Sequence, residues 1–385
     1  MPQVITMDVL MLNPFFSPYS GGTEKHVLEV GKRLAKKHGI SVLTCRLPDT
    51  PENETIDGIR VVRVPSRIYY SAPYPIPPPV PIMPDFARYL RRELASADAV
   101  HMHNRFVYGQ GDGALAKKAG KKLFLTLHNS RPSGVDFATD FLGGLYDDLF
   151  AKGLMRMCDG VMGVSADTLE MTLPSDYRGR TKAVYNGVDE RLFRPAGPSA
   201  EWKDFFEDKG IAGRKVMTNA RLLPQKGLGY LVEGMKGMDA CLVVKGRGPL
   251  RKSLEAQAKK AKVGTVFIEE RISEKSLAGL YNSIDAFVLP SLYEPCGIAI
   301  LEALSCGKPC IGSRVNGIPE IISDAQNGLL VAPRSPEGLA GAISRVLDDK
   351  KFAQKLGACG RRKVLKEFTW DIVAKKVGGF YDSYG

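Results

Sequence analysis

The 385-residue sequence has no run approaching the roughly 20 uninterrupted apolar residues that a membrane-spanning helix needs. It also lacks a basic head, apolar stretch and small-residue cleavage site joined near its start, so a cytoplasmic location is expected. Cysteine is sparse and odd in number: the seven are Cys45, Cys158, Cys241, Cys296, Cys306, Cys310 and Cys359. Cys306 and Cys310 have no second pair at zinc-ligand spacing, and reduced thiols are expected rather than a disulfide framework. The spaced glycine fingerprint G-x-G-x-x-G is missing after the first strand, as is the P-loop G-x-x-x-x-G-K-[ST], which argues against a dinucleotide oxidoreductase and a P-loop enzyme.

What the chain has in excess is positive charge, +12 in all. Residues 1–190 carry 23 Lys and Arg against 21 Asp and Glu, whereas residues 191–385 carry 31 against 21. A basic half fits nucleic acid, an anionic membrane or a phosphorylated small molecule, and also a merely well-solvated surface. The basic half lacks the interleaved aromatic residues of a nucleic-acid platform, so no nucleic-acid partner is expected.

Short apolar or β-branched runs alternate with amphipathic stretches, as in "VLMLN", "EKHVLEVGKRLAKKHG", "ISVLTC" and "KLFLTLHN". This rhythm predicts an α/β fold with parallel sheets covered by helices on both faces. It restarts at "RKVMTNAR" after the turn-rich "YNGVDERLFRPAGPSAEW", which is read as a hinge near 190–200. Two Rossmann-like domains are expected, 1–192 and 193–369, with their strand ends around one cleft. The proline-rich stretch 71–84, with seven prolines, breaks the rhythm and reads as an extended loop rather than a regular element.

Candidate binding residues fall where strands give way to helices. Gly21 and Gly22 precede an early helix, where paired glycines let backbone approach a ligand and helix-start amides favour an anion; a tight turn with Thr23 as N-cap is the plainer reading. Arg221 and Lys226, with Gly227 opening the next helix, suit a diphosphate clamp: one forked guanidinium and one point-charge ammonium. Gly246 and Gly248 in "VVKGRGPL" repeat the arrangement. Gly297 can begin a helix whose Ile298 and Ala299 amides would face an anion, with Gly307 and Pro309 as stop signals. Glu294 before that helix and Glu302 in its second turn can accept hydrogen bonds from separated hydroxyl pairs; their plainer readings are a dipole-favoured acid and an exposed helical acid.

Three of the five histidines, His101, His103 and His128, stand at strand ends, where a cleft histidine can donate to a substrate or exchange protons. His128 is the one selected as catalytic. A zinc site needs a third or fourth ligand in fixed tetrahedral geometry, and nothing in the spacing demands one, so no metal is expected.

These motifs, taken in order, resemble the retaining, nucleotide-sugar-dependent glycosyltransferases of family 4, which have the two-domain GT-B fold. The resemblance runs over nearly the whole chain through "GGTEKHV", "HMHN", "LTLHN", "GVSADTLE", "VYNGVDERLFRP", "NARLLPQKGL", "KGRGPL", "LPSLYEPCGIAILEAL" and "NGLLV". The Glu-x(7)-Glu segment with R-x(4)-K upstream is its specific part. The final "FTWDIVAKKVGGFYDSY" looks like the family's last helix, and 370–385 is expected to pack back on the first domain.

The resemblance implies residue roles. Arg221 and Lys226 would hold the donor diphosphate and stabilise charge on the leaving nucleotide. Glu294 would bind donor-sugar hydroxyls, Glu302 the ribose hydroxyls, and backbone near Ile272 the base. Gly21 and Gly22 would approach the phosphate from the first domain, and His128 would contact the donor sugar. No cofactor or metal is implied, because Arg and Lys replace it and no Asp-x-Asp is present. The donor is a nucleoside-diphosphate sugar, with UDP favoured and GDP or ADP as alternatives; the acceptor is a glycan, a lipid or a small molecule.

Two residues depart from the family pattern: Cys296 stands where Phe is usual, and Gln225 replaces a common acid. Both leave the proposed contacts in place while bearing on donor preference. Rival readings are a sugar-nucleotide epimerase and a non-catalytic nucleotide-sugar-binding protein, the first disfavoured by the order of the two motifs. The stretch "DFARYLRREL" offers a peripheral membrane contact, with Phe86, Leu90 and Leu94 inward and Arg88, Arg91 and Arg92 at headgroups, or else a helix packed on its own sheet.

Overall fold

A computed structural model describes residues 7–70, 79–103, 105–133 and 137–384. The chain divides into two compact units, Met1–Asn186 with Trp370–Gly385, and Gly187–Thr369. The strands, in chain order, are β1 (Asp8–Leu12), β2 (Gly39–Cys45), β3 (Asn53–Ile56), β4 (Ile59–Val64), β5 (Arg67–Tyr69), β6 (Val80–Ile82), β7 (Ala99–Met102), β8 (Lys122–Leu127), β9 (Gly160–Gly163), β10 (Arg180–Ala183), β11 (Lys215–Asn219), β12 (Cys241–Lys245), β13 (Thr265–Ile268), β14 (Ala286–Leu289), β15 (Cys310–Ser313) and β16 (Leu329–Val331).

The first unit is built on an eight-stranded sheet of order β10-β9-β8-β7-β1-β2-β4-β3, parallel except where β3 meets β4. Its central strands are buried on both faces, which is why they read as nearly unbroken apolar runs. Successive residues of β1 supply opposite cores: Leu10 and Leu12 join Leu90, Val100 and Leu125 on one face, while Val9 and Met11 join Val27, Trp370 and Tyr381 on the other.

The helix Trp370–Asp382 belongs to this unit and lies on the helix Gly22–Leu34, where Asp371 accepts from Arg33 at 2.5 Å. Helix Phe86–Leu94 buries Phe86, Leu90 and Leu94 in the core of its own sheet, so its apolar face does not meet a membrane. A different face is exposed: Phe137, Phe141, Leu142, Leu145, Leu149 and Phe150 all project from the helical stretch 137–151.

Part of the proline-rich stretch is regular after all. Residues 71–78 lie outside the described residues, but β6 pairs antiparallel with β5 in a two-stranded ribbon. Pro81 is accepted there because a two-stranded ribbon has edges on which a missing N–H costs no ladder bond.

The second unit has six parallel strands in the order β13-β12-β11-β14-β15-β16. Residues 187–192, expected with the first domain, cluster with this unit instead. The reason is local bonding: Val188 N–H donates to Phe368 O at 2.9 Å, and Arg361 donates to the carbonyls of Glu190 and Phe193 at 2.9 and 2.8 Å. Each sheet has one point where strand order reverses, between β1 and β7 in the first and between β11 and β14 in the second. Ligands of such sheets bind outside the strand carboxyl ends at that point. Among the described residues no helix is long and apolar enough to cross a membrane.

Candidate functional site

In the second unit the expected donor residues gather at the reversal point. Arg221 follows β11 and is exposed, whereas Lys226 ends a single 3-10 turn, Pro224–Lys226, and is held in place. Its Nζ lies 2.7 Å from Glu294 Oε2, and both side chains are largely buried. Glu294 comes from the loop after β14, and Ser291 Oγ donates to the same carboxylate oxygen at 3.2 Å. Its backbone N–H donates to Asn316 Oδ1 at 3.1 Å, so three residues fix this acid. Neither residue of the pair is decorative: a largely buried ion pair persists only when its geometry compensates for desolvation.

Gly227 locks the two loops together. It has φ +63 and ψ 20, and a Cβ there would overlap the carbonyl oxygen of Pro290. Leu292 N–H donates to Gln225 O at 2.8 Å across the same seam. Gly246 and Gly248 do the same on the other side of Arg221: a Cβ on either would strike the backbone of Ala220 or Leu222. Leu222 N–H donates to Arg247 O at 2.8 Å, so the glycine loop and the loop bearing Arg221 form one layer. Ile272 lies just past the segment that Lys245 and Arg247 hold by donating to the carbonyls of Glu270 and Glu269.

Gly297 is the N-cap of helix Ile298–Ser305, in the left-handed region at φ 82. The first amides of a helix have no acceptor within it, so those of Ile298 and Ala299 are oriented for an external one. Glu302 is buried rather than exposed, and Tyr281 OH donates to its Oε2 at 2.9 Å. Asn219 Nδ2 donates in turn to Tyr281 OH at 3.0 Å. Burial, with the Glu302 charge beside it, pushes the Tyr281 phenol well above its usual range, so it stays a neutral donor. Cys296, between Pro295 and Gly297, is buried.

The first unit brings together His101, His103 and His128, and adds His26 from helix Gly22–Leu34. His103 Nδ1 is 3.3 Å from His128 Nε2, and His26 Nδ1 is 2.9 Å from Asn186 Oδ1. His101 meets Tyr381 OH at 2.5 Å and Thr126 Oγ1 at 2.7 Å. Burial lowers His26 to about 4, opposed by its bond to Asn186, and burial with His26 nearby lowers His101 to about 3. His103 and His128 fall well below the usual imidazole range for the same reason, reinforced by their histidine neighbours. All four rings are therefore neutral near pH 7. Gly21 is the N-cap of the same helix with extended backbone, and Gly22 is the first helical residue, which displaces Thr23 from the capping role.

Sequence reasoning missed Asn219, Tyr281, Ser291 and Asn316 in the second unit and His26 and Asn186 in the first. Asn219 sits two residues before Arg221, and His26 lies inside the glycine motif, so the signal was adjacency to residues already chosen.

Two family models divide the chain: Glycosyltransferase Family 4 matches residues 20–192, and Glycosyl transferases group 1 matches residues 203–363. The chain is 27% identical over 387 residues to the uncharacterized glycosyltransferase MJ1607 of Methanocaldococcus jannaschii, covering 94% of each. It is 27% identical over 307 residues to α-maltose-1-phosphate synthase of Mycolicibacterium smegmatis, covering 74% of this chain and 79% of that one. Its fold matches that of Anabaena HepE, solved in complex with UDP and glucose, with a TM-score of 0.76 at 18% identity over 98% of this chain and 100% of the other. The chain belongs to the family 4 glycosyltransferases and has the GT-B fold of two Rossmann-like domains.

Proposed function

We propose that the protein transfers a hexosyl group from a nucleoside-diphosphate sugar, a UDP-sugar in preference to GDP- or ADP-sugars, to an acceptor hydroxyl, with retention of configuration. The observation that carries this reading is the Lys226–Glu294 pair set beside the exposed Arg221 and the start of helix Ile298–Ser305. Arg221, Lys226 and the helix-start amides supply positive potential where the leaving diphosphate develops charge, the task a metal performs elsewhere. Glu302, held by Tyr281, takes the ribose hydroxyls, and backbone at Ile272 takes the base. His128, as a neutral imidazole, donates to or accepts from the sugar; Gly21 and Gly22 keep the donor-phosphate role that the resemblance implies.

Retention by double displacement needs a free carboxylate beneath the anomeric carbon. Glu294 is committed to Lys226 and Ser291, which suits a hydroxyl clamp better than a nucleophile. The reading is therefore front-face attack: the acceptor oxygen bonds to the anomeric carbon as the bond to diphosphate breaks, and the acceptor proton passes to the leaving phosphate oxygen. The exposed apolar stripe from Phe137 to Phe150 supports an acceptor with a lipid portion. Flotation with vesicles, lost in F141E/L145E, tests that part.

The donor is tested by thermal unfolding of wild type and Arg221→Ala with UDP-, GDP- and ADP-sugars, since a ligand of the folded state raises its midpoint. One donor should shift the wild type and not the variant. No shift by any donor overturns the diphosphate clamp and the transferase reading built on it.

A further inference from the structure

Four of the five histidines meet in the first unit, and the proposed transfer uses only His128. His26, His103 and His128 each present a ligand nitrogen, and these three atoms lie within 4.8 Å of one another. His26 is oriented from behind. Asn186 Oδ1 can only accept, so His26 Nδ1 carries the proton and Nε2 keeps its lone pair. That Nε2, like the Nε2 of His103, is buried with no hydrogen-bond partner. His101 is already engaged at both nitrogens and lies tilted against His103, with ring centroids 4.0 Å apart. Two buried imidazole nitrogens without partners beside a third is an arrangement that hydrogen bonding within the protein leaves unfinished.

We propose that His26, His103 and His128 form a binding site for one divalent transition metal of the zinc class, and that metal bound there withdraws His128 from the sugar. Zinc takes neutral imidazole nitrogens at about 2.0–2.1 Å, and three such ligands leave a fourth position for water. Tetrahedral contact requires the rings to turn inward from the present spacing, and the partly exposed His128 provides the open side. The Asn186 bond plays the orienting part that an outer partner plays behind a metal-bound histidine. Only the second half of this proposal, the withdrawal of His128, rests on the transferase reading.

The test is titration of the chelator-stripped full chain with Co2+ and then Zn2+. One Co2+ per chain should bind with visible d–d bands and without the near-ultraviolet thiolate band that any of the seven cysteines would add, and one Zn2+ should displace it. His26→Gln and His103→Gln should each weaken binding at least tenfold with unchanged circular dichroism. If either fails to fold, Asn186→Ala, which frees the His26 ring without removing it, should weaken binding about 10- to 100-fold. No d–d bands, a thiolate band, or wild-type affinity in these variants overturns the site. Zinc that binds at one equivalent and leaves sugar transfer unchanged overturns the role given to His128, while failure of the donor panel leaves the metal titration standing.

Discussion

Gly227→Ala should disable the enzyme through a loop it does not itself belong to. The substitution places a β-carbon over Pro290 O and 3.2 Å from the Pro290 carbonyl carbon, at a φ of +63. An L-residue in the left-handed region costs about 1–2 kcal/mol. Restoring a carbon-to-oxygen contact of about 3.3 Å requires the two loops to part by on the order of 1 Å. That parting breaks the 2.8 Å bond from Leu292 to Gln225, worth about 1 kcal/mol, and opens the 2.7 Å pair between Lys226 and Glu294. The second unit should therefore lose about 2–3 kcal/mol in urea unfolding. Since a 1 Å misplacement costs about 100-fold in rate, kcat/KM for donor should fall about 100-fold. Gly237→Ala is the control, because Gly237 shares a positive φ of 75 and has open space around its β-position. It should lose about 1 kcal/mol and keep its activity. Activity of Gly227→Ala within threefold of wild type would refute the coupling of the two loops.

Tyr281→Phe removes the hydroxyl that links Asn219 to Glu302 and takes one hydrogen bond from the buried Glu302 carboxylate and one from the half-buried Asn219 amide. A loss of about 1–3 kcal/mol and a donor KM raised roughly tenfold with kcat nearly unchanged are expected, and an unchanged KM would cut Glu302 out of donor binding. The first unit should weaken in acid. His26 is held at about 4 when folded against 6.5 when unfolded, so the unfolded chain takes the proton first. The stabilisation is complete above pH 6.5 and is lost as pH falls toward 4, about 2 kcal/mol of it by pH 5 from His26 alone. Urea unfolding at pH 7.5 and 5.0 should show this, with a smaller difference in His26→Gln; a flat profile in the wild type refutes it.

Strand and helix rhythm was readable because buried parallel strands and amphipathic helices carry different apolar periods, and the places of Arg221, Lys226 and Glu294 after strands and of Glu302 in a helix's second turn were readable from the same pattern. Their partners were not. Tyr281 sits in the interior of the helix Glu274–Asn282, where its apolar ring reads as core, and only the folded register brings its hydroxyl to Glu302. His26 is 75 residues from His101 and reaches it through a helix face that the glycines before it overshadow. The helix Phe86–Leu94 shows the converse: its basic and apolar faces fit a membrane and a sheet equally, and the packing of Leu90 decides between them. Residues 187–192 cluster with the second unit through hydrogen bonds to Phe368 and Arg361, which lie far along the chain and leave no local trace.

The helix Trp370–Asp382 completes a core begun by β1, yet the whole of the second unit is made between them. During synthesis the face bearing Val9, Met11 and Val27 waits without Trp370, Val373, Val377 and Tyr381 while residues 187–369 emerge as one continuous stretch. The later-made unit can thus close its core before the earlier one does. A chain ended short of residue 370 would present a finished second unit tethered to a first whose sheet is covered on one side by the helix Gly22–Leu34 alone, the kind of incomplete surface that chaperones hold and proteases find.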